Sequence, residues 1–102
     1  MRLIELDAAG WRDVMDYYNA LKRALGSPAW HGDSVDAWID SMLYGGINRI
    51  DPPYVIRIAE VSKCPAELRC DIDQLAQVIR EAREDQRQRY GKAADVAFEI
   101  NP

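Results

Sequence analysis

The chain has 102 residues, of which 48% are hydrophobic and 29% are charged, a composition that is ordinary for a globular protein and excludes disordered and collagen-like classes. This length suffices for one hydrophobic core, so we expect residues 1–102 to form a single domain. The formal net charge of −4 disfavours direct binding of nucleic acid, which requires a concentrated cationic surface, and favours a basic partner.

The sequence carries no signal for export, membrane insertion or metal binding. Its N-terminal stretch, MRLIELDAAGW, is short and acidic, and no apolar run approaches the roughly 20 residues that span a bilayer. Cys64 and Cys70 have five residues between them and the chain has one histidine, which fits neither a zinc site nor a C-x-x-C motif. We therefore expect a cytoplasmic protein with free thiols, no membrane contact, no metal and no other cofactor.

The N-terminal quarter of the chain predicts a strand followed by a helix. Arg2 to Leu6 alternates, with Ile4 and Leu6 on one face. From Trp11 to Leu25 the apolar residues recur at helical spacing, and the segment Gly26-Ser27-Pro28 is a stop signal. The residues predicted to face the core are Trp11, Val14, Met15, Tyr18, Leu21 and Leu25.

A loop with several aromatic residues then leads into a short helix that has two dissimilar faces. The loop contains Pro28, Trp30, His31 and Gly32. At about 100° per residue, the apolar face of the helix includes Val35, Trp38, Ile39 and Met42. On the opposite side, three carboxylates and a tyrosine lie within roughly 80° of one another. We call the three carboxylates the acidic stripe. The stripe consists of Asp33, Asp36 and Asp40, and the tyrosine is Tyr44.

The acidic stripe is interpreted as a binding surface, although charges on helices usually form a solvated face. Carboxylates at this spacing repel one another by roughly 0.2–0.5 kcal/mol for each close pair. Asp33 is predicted to cap the helix and Asp36 to lie near the positive end of its dipole, whereas Asp40 gains nothing from capping. A solvated face normally mixes acids with bases, and the segment from Ser34 to Tyr44 contains no basic residue.

The middle of the chain predicts the end of the acidic helix and a second strand. Tyr44-Gly45-Gly46 ends the helix, and Asp51-Pro52-Pro53 marks a turn. Tyr54 to Glu60 alternates, with Tyr54, Ile56 and Ile58 on one side and Val55, Arg57 and Ala59 on the other. A short helix is predicted around Pro65 to Leu68, because proline is tolerated in a first helical turn.

The C-terminal part of the chain predicts a long helix and a third strand. The helix is expected to start at a cap, Asp71 or Asp73, and to run to about Tyr90, with Gly91 as its stop. Its buried face includes Ile72, Leu75, Ile79 and Ala82. Because the sequence EDQRQRY lacks aliphatic residues, the last turns are expected to project into solvent. Val96 to Ile100 predicts the third strand.

Strands that alternate with helices predict an α/β fold with a parallel sheet and right-handed crossovers. Each strand keeps one face that tolerates charge, so the helices should cover only one face of the sheet. Two right-handed crossovers on one face give the strand order 1-2-3. That order also puts Arg57 between Glu5 and Glu99. The predicted fold is therefore a two-layer, three-stranded parallel sheet with helices on one face.

The run P-A-W-H-G-D-S-V-D-A-W-I-D, together with Leu21-Lys22-Arg23-Ala24-Leu25 before it, resembles the signature of the barstar family of intracellular ribonuclease inhibitors. That family typically shows L-K-x-x-L, a proline, an aromatic pair, glycine, a polar residue or asparagine, and D-A-L-W-D. A second match is Q-V-I-R-E-A-R, residues 77–83, which is similar to Q-V-F-R-E-A-K. The departures are Trp30 and His31 for a tyrosine pair, Ser34 for asparagine, and Trp38-Ile39 for Leu-Trp.

The resemblance implies a set of residues that bind a partner. Asp40 matches the central aspartate, which stands in for an RNA phosphate, and Asp36 would meet a flanking basic residue. Glu81 would reach the rim of the same cleft. The remaining positions in or beside the matched motif are Trp30, His31, Ser34, Tyr44 and Gly45.

Three of these positions carry more specific expectations. The resemblance implies that Trp30 stacks on a catalytic histidine of the enzyme; packing of Trp30 on the first helix is the alternative. With Ser34 in the asparagine position, a partner contact is shortened or replaced by water. A loop histidine such as His31 is usually an exposed hydrogen-bonding group.

Two functions remain open, neither of them catalytic. One histidine and a helical row of aspartates supply neither a nucleophile nor three converging metal ligands, so we do not expect an enzyme. The first function is an inhibitor of a basic ribonuclease or ribonuclease-like toxin, which is monomeric when free. The alternative is an interaction module of the same fold that binds another basic protein.

Overall fold

The three predicted strands form one parallel sheet. A computed structural model describes all residues, Met1 to Pro102. Strands β1 (Arg2–Asp7), β2 (Tyr54–Ala59) and β3 (Val96–Ile100) are arranged in the order β1-β2-β3. The register aligns Glu5, Arg57 and Glu99 in one row across the sheet. Arg57 Nη1 lies 3.3 Å from Glu5 Oε1, and Arg57 Nε lies 3.2 Å from Glu99 Oε2. The predicted strand order and the position of Arg57 between two acids are confirmed.

The helices cover one face of this sheet. Helices α1 (Val14–Leu25), α2 (Val35–Leu43) and α3 (Ala66–Tyr90) all contribute to one cluster of 19 buried hydrophobic residues. The strand residues that join the cluster are Ile4, Tyr54, Ile56, Ile58 and Val96. Because the row of Glu5, Arg57 and Glu99 lies on the other face, the charged row remains accessible to solvent. The predicted two-layer α/β fold is confirmed.

The start of α1 and part of its buried face differ from the prediction. The helix begins after Asp13, whose carboxylate accepts a hydrogen bond from the Asp16 N–H at 3.1 Å, and not at Trp11. The buried residues of α1 include Tyr17, which was not predicted, whereas Met15 is 37% exposed. An Asp cap satisfies free N–H groups at the helix start, so it sets the boundary more strongly than apolar spacing does.

Residues 66–90 form one continuous helix, so the prediction of a short helix followed by a capped long one was wrong. Asp71 and Asp73 lie inside α3 and cap nothing. Leu68, Ile72, Leu75 and Ile79 are all buried and follow one another at helical spacing. No helix breaker separates Leu68 from Ile72, so the apolar face continues through the predicted gap. Gly91 ends α3 with a φ of 76°, as predicted.

The last turns of α3 project only partly into solvent, because one polar side chain joins them by hydrogen bonds to the rest of the protein. Gln86 is buried, with 8% of its surface exposed. Its Nε2 donates to the Leu43 carbonyl at 2.8 Å, and its Oε1 accepts from the Ala94 N–H at 2.9 Å. Apolar periodicity does not detect such a contact, since the residue is polar. Gln86 therefore ties the end of α2 to the segment before β3.

Two buried tyrosines predict how the stability of the fold depends on pH. The hydroxyls of Tyr17 and Tyr54 are buried and have no hydrogen-bond partner. Burial raises the pKa of each above the usual value of 10.0, and the charges of Tyr18 and Asp73 raise the pKa of Tyr17 further. Above about pH 10 the unfolded chain loses these protons while the folded protein keeps them. The free energy of unfolding should therefore fall as the pH rises, by about 1.4 kcal/mol per pH unit for each such tyrosine.

Urea unfolding of the wild type and of Tyr17→Phe between pH 8 and pH 11.5 tests this dependence. The Tyr17→Phe variant should be at least as stable as the wild type at pH 8, because the hydroxyl that it removes is buried without a partner. It should lose less stability than the wild type between pH 8 and pH 11, because one titrating group has been removed. Tyr90→Phe is the matched control, since Tyr90 is 63% exposed. Parallel slopes for the wild type and Tyr17→Phe would contradict the assignment.

None of the helices combines the length and the hydropathy that a membrane crossing requires.

The two cysteines are both free thiols. Cys64 is buried and Cys70 is exposed. The Cys64 Sγ donates to the Ala8 carbonyl at 3.4 Å, and burial raises the pKa of this thiol.

Candidate functional site

Helix α2 is capped by Ser34, and the prediction that Asp33 caps it was wrong. The Ser34 hydroxyl accepts a hydrogen bond from the Ala37 N–H at 3.1 Å. Asp33 instead forms an ion pair with Lys22 of α1. Serine and aspartate are about equally good caps, so the tertiary contact with Lys22 decides between them. The charge of Asp33 is thereby neutralised within the protein, unlike that of the other two residues of the acidic stripe.

The other two members of the acidic stripe carry free negative charge. The side chains of Asp36 and Asp40 are exposed, and neither forms an ion pair or accepts a hydrogen bond. Asp36 lies in the first turn of α2, where the helix dipole favours an acid, but Asp40 lies near the C-terminal end, where no basic residue compensates. A carboxylate at that end costs about 0.3–1 kcal/mol. Folding therefore gains nothing from the Asp40 charge.

The opposite side of α2 fixes the helix to the core. Trp38 and Met42 are fully buried, and Val35 and Ile39 pack against the same cluster. The predicted apolar face is confirmed. Because a buried face holds α2 in place, Asp36 and Asp40 project from a rigid element. Preorganised groups on a rigid element lose less entropy when they bind.

His31 is a buried anchor for the loop before α2, and the expectation of an exposed histidine was wrong. Only 5% of its surface is exposed, and its ring centroid lies 4.2 Å from that of Trp38. Its Nδ1 lies 2.8 Å from the Gly32 carbonyl, and its Nε2 lies 2.8 Å from Ser41 Oγ. A carbonyl can only accept, so His31 Nδ1 carries a proton and donates it to Gly32. The His31 side chain is therefore held inside the protein, where it joins the loop to α2.

The anchored loop holds Trp30 out in solvent. Trp30 is 73% exposed although it directly precedes the buried His31. The His31 N–H donates to the Pro28 carbonyl at 3.0 Å and closes the turn that carries the indole. The alternative interpretation, in which Trp30 packs on α1, is therefore wrong. A large exposed aromatic on a fixed turn costs little entropy when it binds.

The C-terminal end of α2 is open to approach by another molecule. The Tyr44 N–H donates to the Asp40 carbonyl at 3.1 Å, and the Tyr44 side chain is 52% exposed. Gly45 has a φ of 74°, a conformation that favours glycine, and no atom lies within 4 Å of the place where a Cβ would stand. The backbone at Gly45 is thus uncovered, at the end of α2 nearer to Asp40.

Comparison with known protein families identifies the family of this chain. The sequence model of the family described as Barstar (barnase inhibitor) matches residues 1–99. The chain belongs to the barstar family. Members of this family are inhibitors and not enzymes, and they bind barnase, a basic ribonuclease. No curated protein sequence matches the chain.

The structure shows where most of the residues that depart from the barstar pattern lie. Ser34, in the asparagine position of the pattern, caps α2, and both residue types cap well. Trp38 is buried and Ile39 is packed against the core, so the exchange of Leu-Trp for Trp-Ile keeps both positions apolar. His31 pairs with Ser41, which the sequence interpretation missed. The sequence carried one sign of this contact, because Ser41 is a polar residue beside the apolar face of α2.

Glu81, the remaining residue of the predicted site, lies on a different element. It is exposed on the side of α3 opposite the buried Ile79, and its Oε1 accepts from Gln77 Nε2 at 3.1 Å. It forms no ion pair, and no hydrogen bond joins it to α2. The structure therefore places Asp36 and Asp40 on α2 and Tyr44 and Gly45 at its C-terminal end, with Trp30 on the turn before the helix. A partner must extend across to α3 to include Glu81.

Proposed function

We propose that this protein blocks the active site of a basic ribonuclease or ribonuclease-like toxin with the exposed face of α2. The observation that supports this most strongly is the state of Asp40, which is exposed, unpaired and unfavourably placed for the helix dipole. Carboxylates on a rigid helix resemble the phosphates that a ribonuclease must bind, so they occupy its cluster of basic residues. Asp40 meets the centre of that cluster and Asp36 meets a flanking arginine or lysine.

The neighbouring residues complete the proposed interface. Trp30 stacks on a catalytic histidine of the enzyme, and the backbone at Gly45 together with Tyr44 contacts the adjoining loop. Glu81 reaches the rim of the cleft from α3. Ser34 keeps a hydroxyl proton free for a partner while its oxygen caps α2. His31 contributes only by holding the loop.

We propose that the protein is cytoplasmic, as an intracellular inhibitor, with Cys64 and Cys70 as free thiols. It is monomeric when free, because self-association through α2 would cover Asp36 and Asp40 and bring like charges together. Both statements are tested by fractionation of the producing cells and by sedimentation of the purified protein.

Residual RNA cleavage by barnase and by a panel of barnase-like ribonucleases, measured with increasing amounts of the protein, tests the proposed function. We expect stoichiometric loss of cleavage for at least one enzyme. Because opposite charges steer the encounter, raising the salt concentration from 50 to 500 mM should slow association more than it accelerates dissociation; barnase and barstar are the reference case for this effect.

Two outcomes would contradict the proposal. If no ribonuclease is inhibited, the alternative remains, namely an interaction module that binds another basic protein. If inhibition occurs but the association rate does not respond to salt, the exposed carboxylates are not what the enzyme recognises.

A further inference from the structure

A groove next to the proposed inhibitory face is lined by residues of which the proposed function uses only Tyr44. It lies between the end of α2, the last turn of α3 and the segment before β3, and its volume is about 560 Å³. We call it the Tyr44–Tyr90 groove. Its principal lining residues are Leu43, Tyr44, Gln86, Tyr90, Lys92 and Ala94.

The Tyr44–Tyr90 groove is built to receive an apolar side chain. Its two tyrosines, Tyr44 and Tyr90, are 52% and 63% exposed, so most of their ring surface has no partner within the protein. Gln86 fastens two of its walls together, through hydrogen bonds of 2.8 Å to Leu43 and 2.9 Å to Ala94. Aromatic walls around a preformed cleft bind rings and aliphatic groups with little loss of entropy.

The charged residue at the edge of the groove is basic, whereas the exposed charges of α2 are acidic. Lys92 is exposed and forms no ion pair with any carboxylate of the protein. The complementary group on a ligand is therefore a carboxylate that lies beside an apolar side chain. The groove thus recognises an apolar side chain and a carboxylate, whereas the acidic stripe recognises basic groups. Tyr44 belongs to the edge of both surfaces.

We propose that the Tyr44–Tyr90 groove receives an aromatic or aliphatic side chain, flanked by a carboxylate, from the rim of the same ribonuclease that α2 inhibits. This inference rests on the proposed function. The groove is continuous with the inhibitory face through Tyr44, so an enzyme seated on Asp40 lies against it. The contact adds an apolar anchor and an ion pair in which this protein supplies the base and the enzyme supplies the acid. Both features distinguish one basic ribonuclease from another.

A second copy of the chain is a poorer occupant of the groove. Two copies that met groove to groove would bring their α2 faces close together, and with them two pairs of unneutralised carboxylates, Asp36 and Asp40. Like charges placed across an interface oppose association. The charge distribution therefore favours a heterologous partner.

A small probe tests the groove in the protein alone. 3-Phenylpropionate carries a ring and a carboxylate, and we expect it to shift the backbone amide signals of Tyr90, Lys92, Ala93 and Ala94 in NMR spectra. Propionate, which lacks the ring, should not shift them. The shifts should vanish in Tyr90→Ala and persist in Gln88→Ala, whose side chain is exposed in the same turn of α3 but does not line the groove.

The same variants test the groove in the complex. With the ribonuclease that is inhibited most tightly, Tyr90→Ala and Lys92→Glu should each accelerate dissociation about tenfold, Gln88→Ala should not, and the enzyme should displace the probe. If the probe shifts no signals, or shifts signals over the whole protein, the groove proposal alone is wrong, because inhibition itself remains. The same conclusion follows if Tyr90→Ala and the wild type dissociate at the same rate. If the protein sediments as a dimer through Tyr90, the occupant is a second copy and the proposal is wrong. If no ribonuclease is inhibited, both proposals fall together.

Discussion

Asp40→Ala is expected to weaken inhibition more than any other substitution of an exposed acid. Asp40 presents a free carboxylate from the centre of the proposed interface, and its loss leaves basic groups of the enzyme buried without a partner. Truncating one member of such a pair costs about 2–5 kcal/mol, which is about 30-fold to several thousand-fold in the dissociation constant. Barnase and barstar variants helped to set that range, so it is a value taken over from the family. Titration of ribonuclease activity measures the change.

The same substitution should leave the fold intact or stabilise it slightly. Asp40 makes no ion pair and lies at the unfavourable end of the α2 dipole. Removing its charge should therefore raise the free energy of unfolding by about 0.3–1 kcal/mol. Urea unfolding of the free protein measures this change. Opposite effects on stability and on binding are the signature of a residue that is retained for function.

Asp85→Ala and Asp40→Asn serve as controls. Asp85 is also an exposed acid on a helix, but it is paired with Arg89, so its removal should change inhibition little. Asp40→Asn keeps the shape of the side chain and removes only the charge, and it should lose nearly as much inhibition as Asp40→Ala. If Asp40→Ala and Asp85→Ala inhibit equally well, the role assigned to Asp40 is wrong.

Trp30→Ala is expected to have the second largest effect on binding and almost none on folding. The indole is 73% exposed, so the free protein loses little packing when it is removed. An aromatic anchor at an interface contributes about 2–4 kcal/mol to binding, so the complex should dissociate about 30-fold to several hundred-fold faster. Surface plasmon resonance measures the dissociation rate, and urea unfolding measures the stability.

Trp30→Phe and Leu3→Ala separate stacking from general loss of apolar surface. Phenylalanine keeps a ring that can stack on a histidine, so Trp30→Phe should recover much of the affinity. Leu3 is 45% exposed but lies on the outer face of the sheet, and its truncation should leave binding unchanged. A dissociation rate for Trp30→Ala that equals that of the wild type would mean that the indole lies outside the interface.

Much of the fold could be predicted from the sequence because it depends on local patterns. Alternation in Tyr54 to Ala59 predicts both the strand and its buried face, and the three residues expected to face inward are fully buried. The charges on the opposite face predict the strand order, since only one order puts Arg57 between two acids. Gly91 was correctly predicted as the end of α3, because a left-handed C-cap favours glycine.

Three of the predictions that failed depend on contacts between different elements of the fold. Asp33 is as good a cap as Ser34, and its ion pair with Lys22, 11 residues away, decides which of them caps α2. His31 is buried because Ser41 and Trp38 receive it, which the composition of the loop does not indicate. Gln86 is buried because two backbone groups bind its amide.

The sequence by itself determined the α/β fold, the strand order, the amphipathic character of α2 and the resemblance to the barstar family, because each of these follows from side-chain period, charge and local motif. Only the tertiary structure decided which residues of the motif are available to a partner. Asp33 and Asp40 are chemically identical, and only their surroundings distinguish them: an ion pair neutralises Asp33, whereas Asp40 faces solvent alone. Trp30 and His31 are neighbours in the chain, yet packing exposes the first and buries the second.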